Sequence, residues 1–315
     1  MAKNRSLTIV CPAYNEEEVI TNFFRQLKTV VDTQITAYDV TILFVLDRSN
    51  DSTFAILETL ADQHHNLQVI LMSSRFGHQM ALLAGIDHCN SDLIVTMDSD
   101  LQHPPSLIPE MVEAHENGAE IVVAVRSTDE SKGRLRNAFS SIFYKIWRRA
   151  SGLDLSSGEA DFRLFTRKVA TIFQMEIREQ KPFLRGLFYW VGFNRAKIEF
   201  SAQARGGGKT KYSRSRLIQF ASNSIFSFTF IPLRLASIIG FASSLAALIG
   251  IAFITFDYIR NGNAPAGWYT ITVLLCFFSS MQFLFLGVLG HYIGMIFEEV
   301  KNRPLYIIDR KLNLD

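Results

Sequence analysis

Hydrophobic and polar residues follow each other along the first 125 residues in a regular succession of strand-like and helix-like patterns. Short apolar runs typical of buried strands alternate with longer stretches in which apolar residues recur every three or four positions. This alternation predicts an α/β fold with an open, mostly parallel sheet and helices on both faces. The predicted strands cover 6–11, 39–46, 67–72, 92–97 and 120–125, and the predicted helices cover 17–31, 53–64, 77–88 and 105–117.

Polar side chains cluster directly after these predicted strands. Residues 14–16 follow the first strand, 47–51 the second, 98–100 the fourth and Arg126 the fifth. In open parallel sheets ligands bind beyond the carboxyl ends of the strands, where such residues meet. The pattern therefore predicts a ligand site at this edge of the sheet.

Two long stretches near the C-terminal end are apolar and almost free of charge. Residues 235–256 contain no charged side chain, and residues 261–297 contain none apart from His291. About 20 apolar residues in a helix suffice to cross the hydrocarbon core of a bilayer. We therefore predict transmembrane helices at 233–259 and 267–297, joined into a hairpin by a short connector; the alternative is a pair of buried core helices.

Basic residues lie on both outer flanks of this hairpin, namely Arg214, Arg216 and Arg234 before it and Lys301, Arg303, Arg310 and Lys311 after it. The positive-inside rule then predicts an integral protein of the cytoplasmic membrane. The N-terminal domain, 1–213, and the C-terminal tail, 298–315, are expected to face the cytoplasm. Residues 214–232 mix basic and aromatic side chains, which favours an amphipathic helix at the interface over a helix packed on the soluble domain.

Composition narrows the classes of protein that fit. The net charge of +2 argues against general nucleic-acid binding. Cys11, Cys89 and Cys276 lie far apart and have neither disulfide nor metal-ligand spacing. The N-terminal residues lack the apolar core of a signal peptide. Small residues in the first span permit close packing between spans and so allow a homo-oligomer; they are Gly240, Ser243, Ser244, Ala247 and Gly250.

The sequence Asp98–Ser99–Asp100 follows an apolar strand directly. Alternate residues of an extended segment point to opposite faces, so a turn is needed to bring the two carboxylates together. Two hard oxygen ligands at one sheet edge suit Mg²⁺ or Mn²⁺. Such an ion would neutralise a diphosphate and stabilise it as a leaving group.

Several segments resemble motifs of one enzyme family. CPAYNEE at 11–17 is similar to the opening of the family 2 glycosyltransferases, and MDSDLQHPP at 97–105 resembles the metal-and-diphosphate motif of their polyprenyl-phosphate branch. That branch includes dolichol-phosphate mannose synthase and the bactoprenol glucosyltransferases. The resemblance implies a GT-A (Rossmann-like) fold, and it extends to residues 74–88, 158–169, 205–213 and 290–306.

The resemblance also implies roles for individual residues. The nucleotide is expected to contact Pro12, Ala13, Tyr14, Glu16, Asp47, Arg75, Asp98 and Ser99. The metal ion is expected at Asp98, Asp100 and Gln102, while Asp100 and Asp161 are the expected catalytic residues. A surface position for Arg75 and a helix-capping role for Asp51 are the alternatives.

The acceptor phosphate needs cationic partners. Arg126, Arg136 and Ser140 form one candidate set, in which the last two share a helical face. Arg205 and Lys211 form a second set that flanks three consecutive glycines. The alternative for the first set is a solvated helix face or a contact with anionic lipid.

The expected reaction is an inverting transfer of a hexose to polyprenyl phosphate, with UDP-glucose as the expected donor and undecaprenyl phosphate as the expected acceptor. Mannose, galactose, an N-acetylhexosamine and aminoarabinose stay open as sugars. A phosphate monoester is largely ionised at neutral pH, so Asp161 either acts as a base or orients a sugar hydroxyl or Arg163. The other classes considered are a processive synthase, whose extra spans and Gln-x-x-Arg-Trp element are not found, and a non-catalytic membrane scaffold.

The sequence departs from the family pattern at the end of the second strand. Leu46–Asp47–Arg48–Ser49 stands where the family has Asp-Asp-Gly-Ser. One carboxylate is lost and an arginine replaces a flexible glycine. Recognition of the nucleotide base is therefore expected to differ from the family pattern. Thr210 stands for a serine and keeps the hydroxyl.

Overall fold

The computed structural model describes residues 5–127, 158–201, 231–261 and 267–314. Within these residues the chain forms two units. The first contains everything described up to 201 together with the segment from Arg303 onward, and the second contains the described residues between 231 and 302.

The first unit is built on one sheet with the strand order β7-β5-β6-β4-β1-β2-β3-β8. Four neighbouring pairs of its described strands are parallel, and the pairs β4/β6, β5/β6 and β3/β8 are antiparallel. The open, mostly parallel sheet predicted from the sequence is thus confirmed. The strands are β1 (Arg5–Ala13), β2 (Tyr38–Leu46), β3 (Leu67–Met72), β4 (Leu93–Thr96), β5 (Ile121–Arg126), β6 (Glu159–Thr166), β7 (Arg195–Phe200) and β8 (Ile308–Leu312).

Six described α-helices and a short 3₁₀ turn at Pro105–Leu107 accompany the sheet, and two longer α-helices form the second unit. The four helices expected before residue 120 are all present. The helices are α1 (Ile20–Gln34), α2 (Thr53–Gln63), α3 (His78–Asp87), α4 (Ile108–Glu116), α5 (Arg167–Met175), α6 (Leu184–Trp190), α7 (Ile231–Asn261) and α8 (Trp268–Val300).

Strand β1 lies in the middle of the sheet because it is apolar along almost its whole length. It pairs in parallel with β2 on one side and β4 on the other. The register places Ala13 opposite Leu46 and Val10 opposite Thr96. All three strands therefore end at the same edge, and the residues that follow them converge there.

The C-terminal segment returns to the catalytic sheet, which the predicted tail at 298–315 did not anticipate. Strand β8 pairs antiparallel with β3. Asn313 donates from Nδ2 to the carbonyl oxygens of Ala61 (2.8 Å) and Leu67 (2.9 Å). The end of the chain therefore covers what would otherwise be an open sheet edge.

The second unit contains α7 and α8. Within its described residues one stretch, Phe277–Val300, is long and apolar enough to cross a membrane, and most of its apolar side chains are exposed. Ser243 Oγ lies 3.0 Å from Met281 Sδ, and a Cβ at Gly240 would lie 3.5 Å from Phe285. At these two positions the small residues of α7 thus pack against α8 of the same chain. The apolar stretch of α8 falls largely within the span predicted at 267–297. The span predicted at 233–259 and the predicted homo-oligomer stay predictions.

Helix α3 packs very closely on the sheet at Gly85. A Cβ atom there would lie 2.2 Å from Val10 Cγ1 and 3.1 Å from Val45 Cγ2. Val10 is fully buried in the central strand and its branched side chain has little freedom to move. Glycine is therefore required for the contact, although alanine favours helix formation by about 1 kcal/mol.

We predict that Gly85→Ala lowers the free energy of unfolding by about 1–3 kcal/mol, the usual effect of one methyl group too many in a packed core. The melting temperature of the purified protein, measured by intrinsic fluorescence, checks this. The matched control is the same substitution in a Val10→Ala background, where space has been made. An equal loss in both backgrounds would contradict the steric explanation.

Candidate active site

The loops after β1 and β2 are joined by hydrogen bonds between their residues. Asn15, in the left-handed region with φ 52°, donates its backbone N–H to Ser49 Oγ (3.0 Å) and accepts at Oδ1 from the Asn50 N–H (3.0 Å). Glu16 N–H donates to Thr53 Oγ1 (2.9 Å). Asp51 accepts from the Thr53 N–H (3.1 Å) and lies one residue before Ser52, the N-cap residue of α2. The two loops therefore form one rigid wall of the edge.

Asp47 holds the segment that leads into α3. Its Oδ1 accepts from the Phe76 N–H (2.7 Å) and its Oδ2 from the Gly77 N–H (2.9 Å). Gly77 has φ 97°, a conformation that a side chain would strain. Burial raises the pKa of the Asp47 carboxyl, although both amides and the nearby Arg75 act in the opposite direction. Base recognition by Asp47 stays a prediction.

The predicted nucleotide contacts converge on the same side of the edge. The Arg75 guanidinium lies 4.0 Å from the centroid of the Tyr14 ring, a cation–π distance. Arg75 thus lies beside Tyr14 at this edge, and its contact with a nucleotide stays a prediction. Ser99 donates from Oγ to the Pro12 carbonyl oxygen (2.9 Å), and the Ala13 carbonyl accepts from the Asp47 N–H (3.1 Å). Ser99 consequently ties the end of β4 to the end of β1.

A tight turn follows β4 and contains Asp98 and Asp100. Leu101 adopts the left-handed conformation with φ 65°, and Asp100 Oδ1 accepts from the Gln102 N–H (3.1 Å). The Asp98 N–H donates to His103 Nδ1 (2.9 Å). Burial lowers the pKa of His103, which keeps this imidazole neutral and able to accept. The sequence had predicted that such a turn must exist.

The residues of this turn fit a divalent ion of the Mg²⁺ type. No group of three or more His, Cys, Asp or Glu side chains poised for a metal occurs among the described residues. Mg²⁺, however, is usually held by one or two carboxylates together with substrate phosphates and water. Asp98 and Asp100 supply two carboxylates of this kind, and their assignment to the ion stays a prediction. Gln102 Oε1 accepts from Arg126 Nη2 (2.9 Å), so it would have to leave that guanidinium to join the ion.

Asp161 is surrounded by cations. Arg185 binds both of its oxygens, through Nε at 3.0 Å and Nη2 at 2.9 Å, and Arg163 Nη1 donates to Oδ1 at 3.1 Å. Burial alone would favour the protonated acid, but Arg185, His78 and Arg163 together hold the pKa of Asp161 well below its ordinary value. A carboxylate so stabilised is a weak base, because accepting a proton would break these bonds.

His78 links Asp98 to Asp161 and the cations around it. Its Nε2 lies 3.5 Å from Asp98 Oδ1 and 3.5 Å from Asp161 Oδ2. Burial opposes the charged imidazole, yet the two carboxylates leave the pKa of His78 above its ordinary value. His78 lies inside the segment 74–88 but was not among the predicted site residues. Arg185 was not predicted either, because it lies outside the motifs that indicated the family.

Strand β6 contributes a row of charged side chains to one face. Glu159, Asp161 and Arg163 alternate along the strand and therefore point the same way. All three are buried. Glu159 Oε1 accepts from the Tyr189 hydroxyl, and the Arg163 guanidinium lies over the Phe188 ring at 5.2 Å. Helix α6, which carries Arg185, thus packs on this charged row and fixes it.

Of the residues predicted to bind the acceptor phosphate, Arg126 lies within the described residues. Arg126 ends β5 and reaches Gln102, so it lies beside the candidate metal ligands. Arg136, Ser140, Arg205 and Lys211 lie outside the described residues. Their assignment to a lipid phosphate stays a prediction.

Comparison with known proteins agrees with this geometry. A family model described as Glycosyl transferase family 2 matches residues 8–173. An uncharacterised glycosyltransferase of Bacillus subtilis (strain 168) is 34% identical over 100% of this chain and 97% of its own length. A prophage bactoprenol glucosyl transferase homolog of Escherichia coli (strain K12) is 34% identical over 96% of this chain and 98% of its own length.

Among solved structures, glucosyl-3-phosphoglycerate synthase from Mycobacterium tuberculosis, in complex with Mn²⁺, UDP and phosphoglyceric acid, superposes with a TM-score of 0.53. It shares 17% identity and covers 70% of this chain and 76% of that chain, which shows a common fold. The expected GT-A fold is thereby confirmed. Since the family model covers more than half of the sequence and the relatives align over nearly their whole length, the chain belongs to glycosyl transferase family 2.

Proposed function

We propose that this glycosyltransferase transfers a hexose, glucose from UDP-glucose in the first instance, to a polyprenyl phosphate such as undecaprenyl phosphate at the membrane. The observation that carries the proposal is the meeting of Asp98 with the Asp161–Arg185 pair through His78 at one sheet edge. An acidic centre suited to a metal-bound diphosphate and a cationic centre suited to a second phosphate thus lie side by side. The relatives named bactoprenol glucosyl transferases support the choice of sugar and acceptor.

The donor side comprises the rigid wall after β1 and β2 and the turn after β4. We assign the nucleoside to the pocket beside Tyr14 and Arg75, and the diphosphate to the region of Asp98 and Asp100. A Mg²⁺ or Mn²⁺ ion held by these carboxylates, with Gln102 as the third candidate ligand, would neutralise the leaving diphosphate. The bound Mn²⁺ and UDP of the mycobacterial synthase support this arrangement.

On the acceptor side the Arg185 guanidinium is oriented by a carboxylate, because Asp161 fixes its plane through two bonds. Arg126 donates to Gln102 Oε1, a bond that Gln102 would give up on joining the metal ion. Guanidinium groups bind phosphate oxygens with two parallel hydrogen bonds. We propose that Asp161 orients Arg185 for the attacking phosphate and takes no proton, since the acceptor is already largely ionised near neutral pH.

The membrane part of the proposal rests on the helical unit. The stretch Phe277–Val300 fits a bilayer by length and composition, and α7 is similarly long. The chain enters this unit from the catalytic unit and returns to it from Arg303 onward. We propose that α7 and α8 form a transmembrane hairpin that leaves the catalytic unit on the cytoplasmic side, where the basic flanks are expected.

Purified protein should release UDP from UDP-glucose only when a short polyprenyl phosphate and Mg²⁺ or Mn²⁺ are both present. The measurement is UDP release with mass spectrometry of the lipid, run beside UDP-galactose, UDP-N-acetylglucosamine and GDP-mannose. Lipid-dependent transfer from another donor would correct the sugar. Absence of lipid- and metal-dependent release from every donor would reject the enzyme function and favour a scaffold.

The Asp98→Asn substitution should reduce turnover by roughly 10²- to 10⁴-fold, because several kcal/mol of charge stabilisation by the metal are lost. Binding of Mn²⁺ in the presence of UDP, followed by electron paramagnetic resonance, should weaken in parallel. Asp62→Asn, the same change at an exposed position on α2, serves as the control. Full activity with unchanged Mn²⁺ binding in Asp98→Asn would contradict the assigned metal site.

If Asp161 acts by orienting Arg185, Asp161→Asn and Arg185→Lys should lower kcat by similar factors and leave UDP binding nearly unchanged. The double variant should then be little worse than either single variant, because both remove one interaction. Steady-state kinetics with varied lipid phosphate measures this. A far larger loss for Asp161→Asn, with the acid limb of the pH–rate profile removed, would instead support a base.

A further inference from the structure

The segment 73–77, which connects β3 to α3, serves several parts of the site at once. Arg75 lies over Tyr14, and the N–H groups of Phe76 and Gly77 bind Asp47. The next residue, His78, reaches both Asp98 and Asp161. The placement of this connection therefore affects the nucleotide pocket and the reacting groups together.

The C-terminal segment holds the beginning of this connection. The Ser73 N–H donates to the Ile307 carbonyl oxygen at 2.9 Å. Arg48 Nη1 lies 3.4 Å from the Ser73 carbonyl oxygen and 3.5 Å from Asp309 Oδ2. The C-terminal segment thus binds the N–H group of Ser73. Arg48 binds the carbonyl group of Ser73 and also contacts the C-terminal segment.

The C-terminal segment is itself firmly attached to the catalytic unit. The Tyr306 hydroxyl donates to Asp87 Oδ2 at 2.7 Å, and Arg178 binds both oxygens of Asp87 at 2.7 and 2.9 Å. Gln180 Nε2 donates to the Arg303 carbonyl oxygen at 2.7 Å. Together with the pairing of β8 and β3, these contacts make residues 303–313 a fixed strap along the sheet edge.

Arg48 acquires a definite role from this arrangement. It stands where the family pattern has a glycine, directly after Asp47, which binds the far end of the same connection. Its preceding neighbour Leu46 is fully buried in the core, so the other departure from the pattern is a packing residue. Asp47 and Arg48 therefore hold the two ends of 73–77, one through its last amides and the other through its first carbonyl group.

We propose that Arg48 and Asp309 are positioning residues for the donor nucleotide, through which the C-terminal strap fixes the connection 73–77. The inference rests on the proposed function, because it takes the pocket beside Tyr14 and Arg75 as the nucleotide site. Neither residue touches the reacting atoms, so weaker nucleotide binding with nearly unchanged kcat is the expected signature. The Arg48–Asp309 pair is substantially exposed, and exposed pairs support effects of at most about fivefold.

The test compares Arg48→Gln, Asp309→Asn and the double variant of the full-length protein with the wild type. Asp39→Asn is the matched control, the same change at an exposed residue near the start of β2, at the end of the strand away from the site. Hydrogen exchange of the amides of 73–77 is measured without ligand, and the Kd of UDP is measured by calorimetry with Mn²⁺. Faster exchange and a two- to fivefold weaker Kd are expected in all three variants, with the double variant no worse than the singles.

Exchange and UDP affinity that match the wild type in the variants would overturn the inference. Effects of the two single substitutions that simply add would also overturn it, because the residues would then act separately. If the variants exchange faster but the wild type binds no UDP, the strap still positions the connection and the proposed donor is wrong. The two failures are thus distinguishable.

Discussion

Parallel pairing of β1 with β2 and β4 is the constraint on which the site depends. The backbone bonds of these strands fix where each one ends, and the register brings Ala13 level with Leu46. Everything that follows is attached to that edge by short bonds, such as Asp47 N–H to the Ala13 carbonyl oxygen (3.1 Å) and Ser99 Oγ to the Pro12 carbonyl oxygen (2.9 Å). The close packing of α3 at Gly85 then sets the depth at which His78 and the preceding connection lie.

Charge balance is the second principle of this site. Asp161 is almost completely buried, and an isolated carboxylate there would be strongly unfavourable. Arg163, Arg185 and His78 compensate it, and through His78 the compensation extends to Asp98. In the proposed reaction the carboxylate Asp98 would serve the metal-bound donor diphosphate, and the cations around Asp161 would serve the acceptor phosphate. These groups are already in place, so little rearrangement of protein charges is needed during transfer.

The sequence predicted the first five strands, the four helices between them and the position of the polar cluster, because each depends on local periodicity. It did not predict β6 as a strand, since Asp161 and Arg163 interrupt the apolar pattern of a buried segment. Strand β8 was not predicted for another reason. Its sequence is largely charged, and its partner β3 lies about 240 residues earlier, so the pairing is purely tertiary. His78 and Arg185 became evident only when the fold brought them to Asp161.

The pairing of the last strand with the third has a consequence for biosynthesis. Strand β3 is complete early in translation, whereas β8 leaves the ribosome only after both long helices have been made. Until then the outer edge of β3 has unpaired N–H and C=O groups, a recognised hazard for association between chains. The sheet of the catalytic unit can therefore be completed only after the helical unit has been synthesised, which couples folding of the enzyme to translation of those helices.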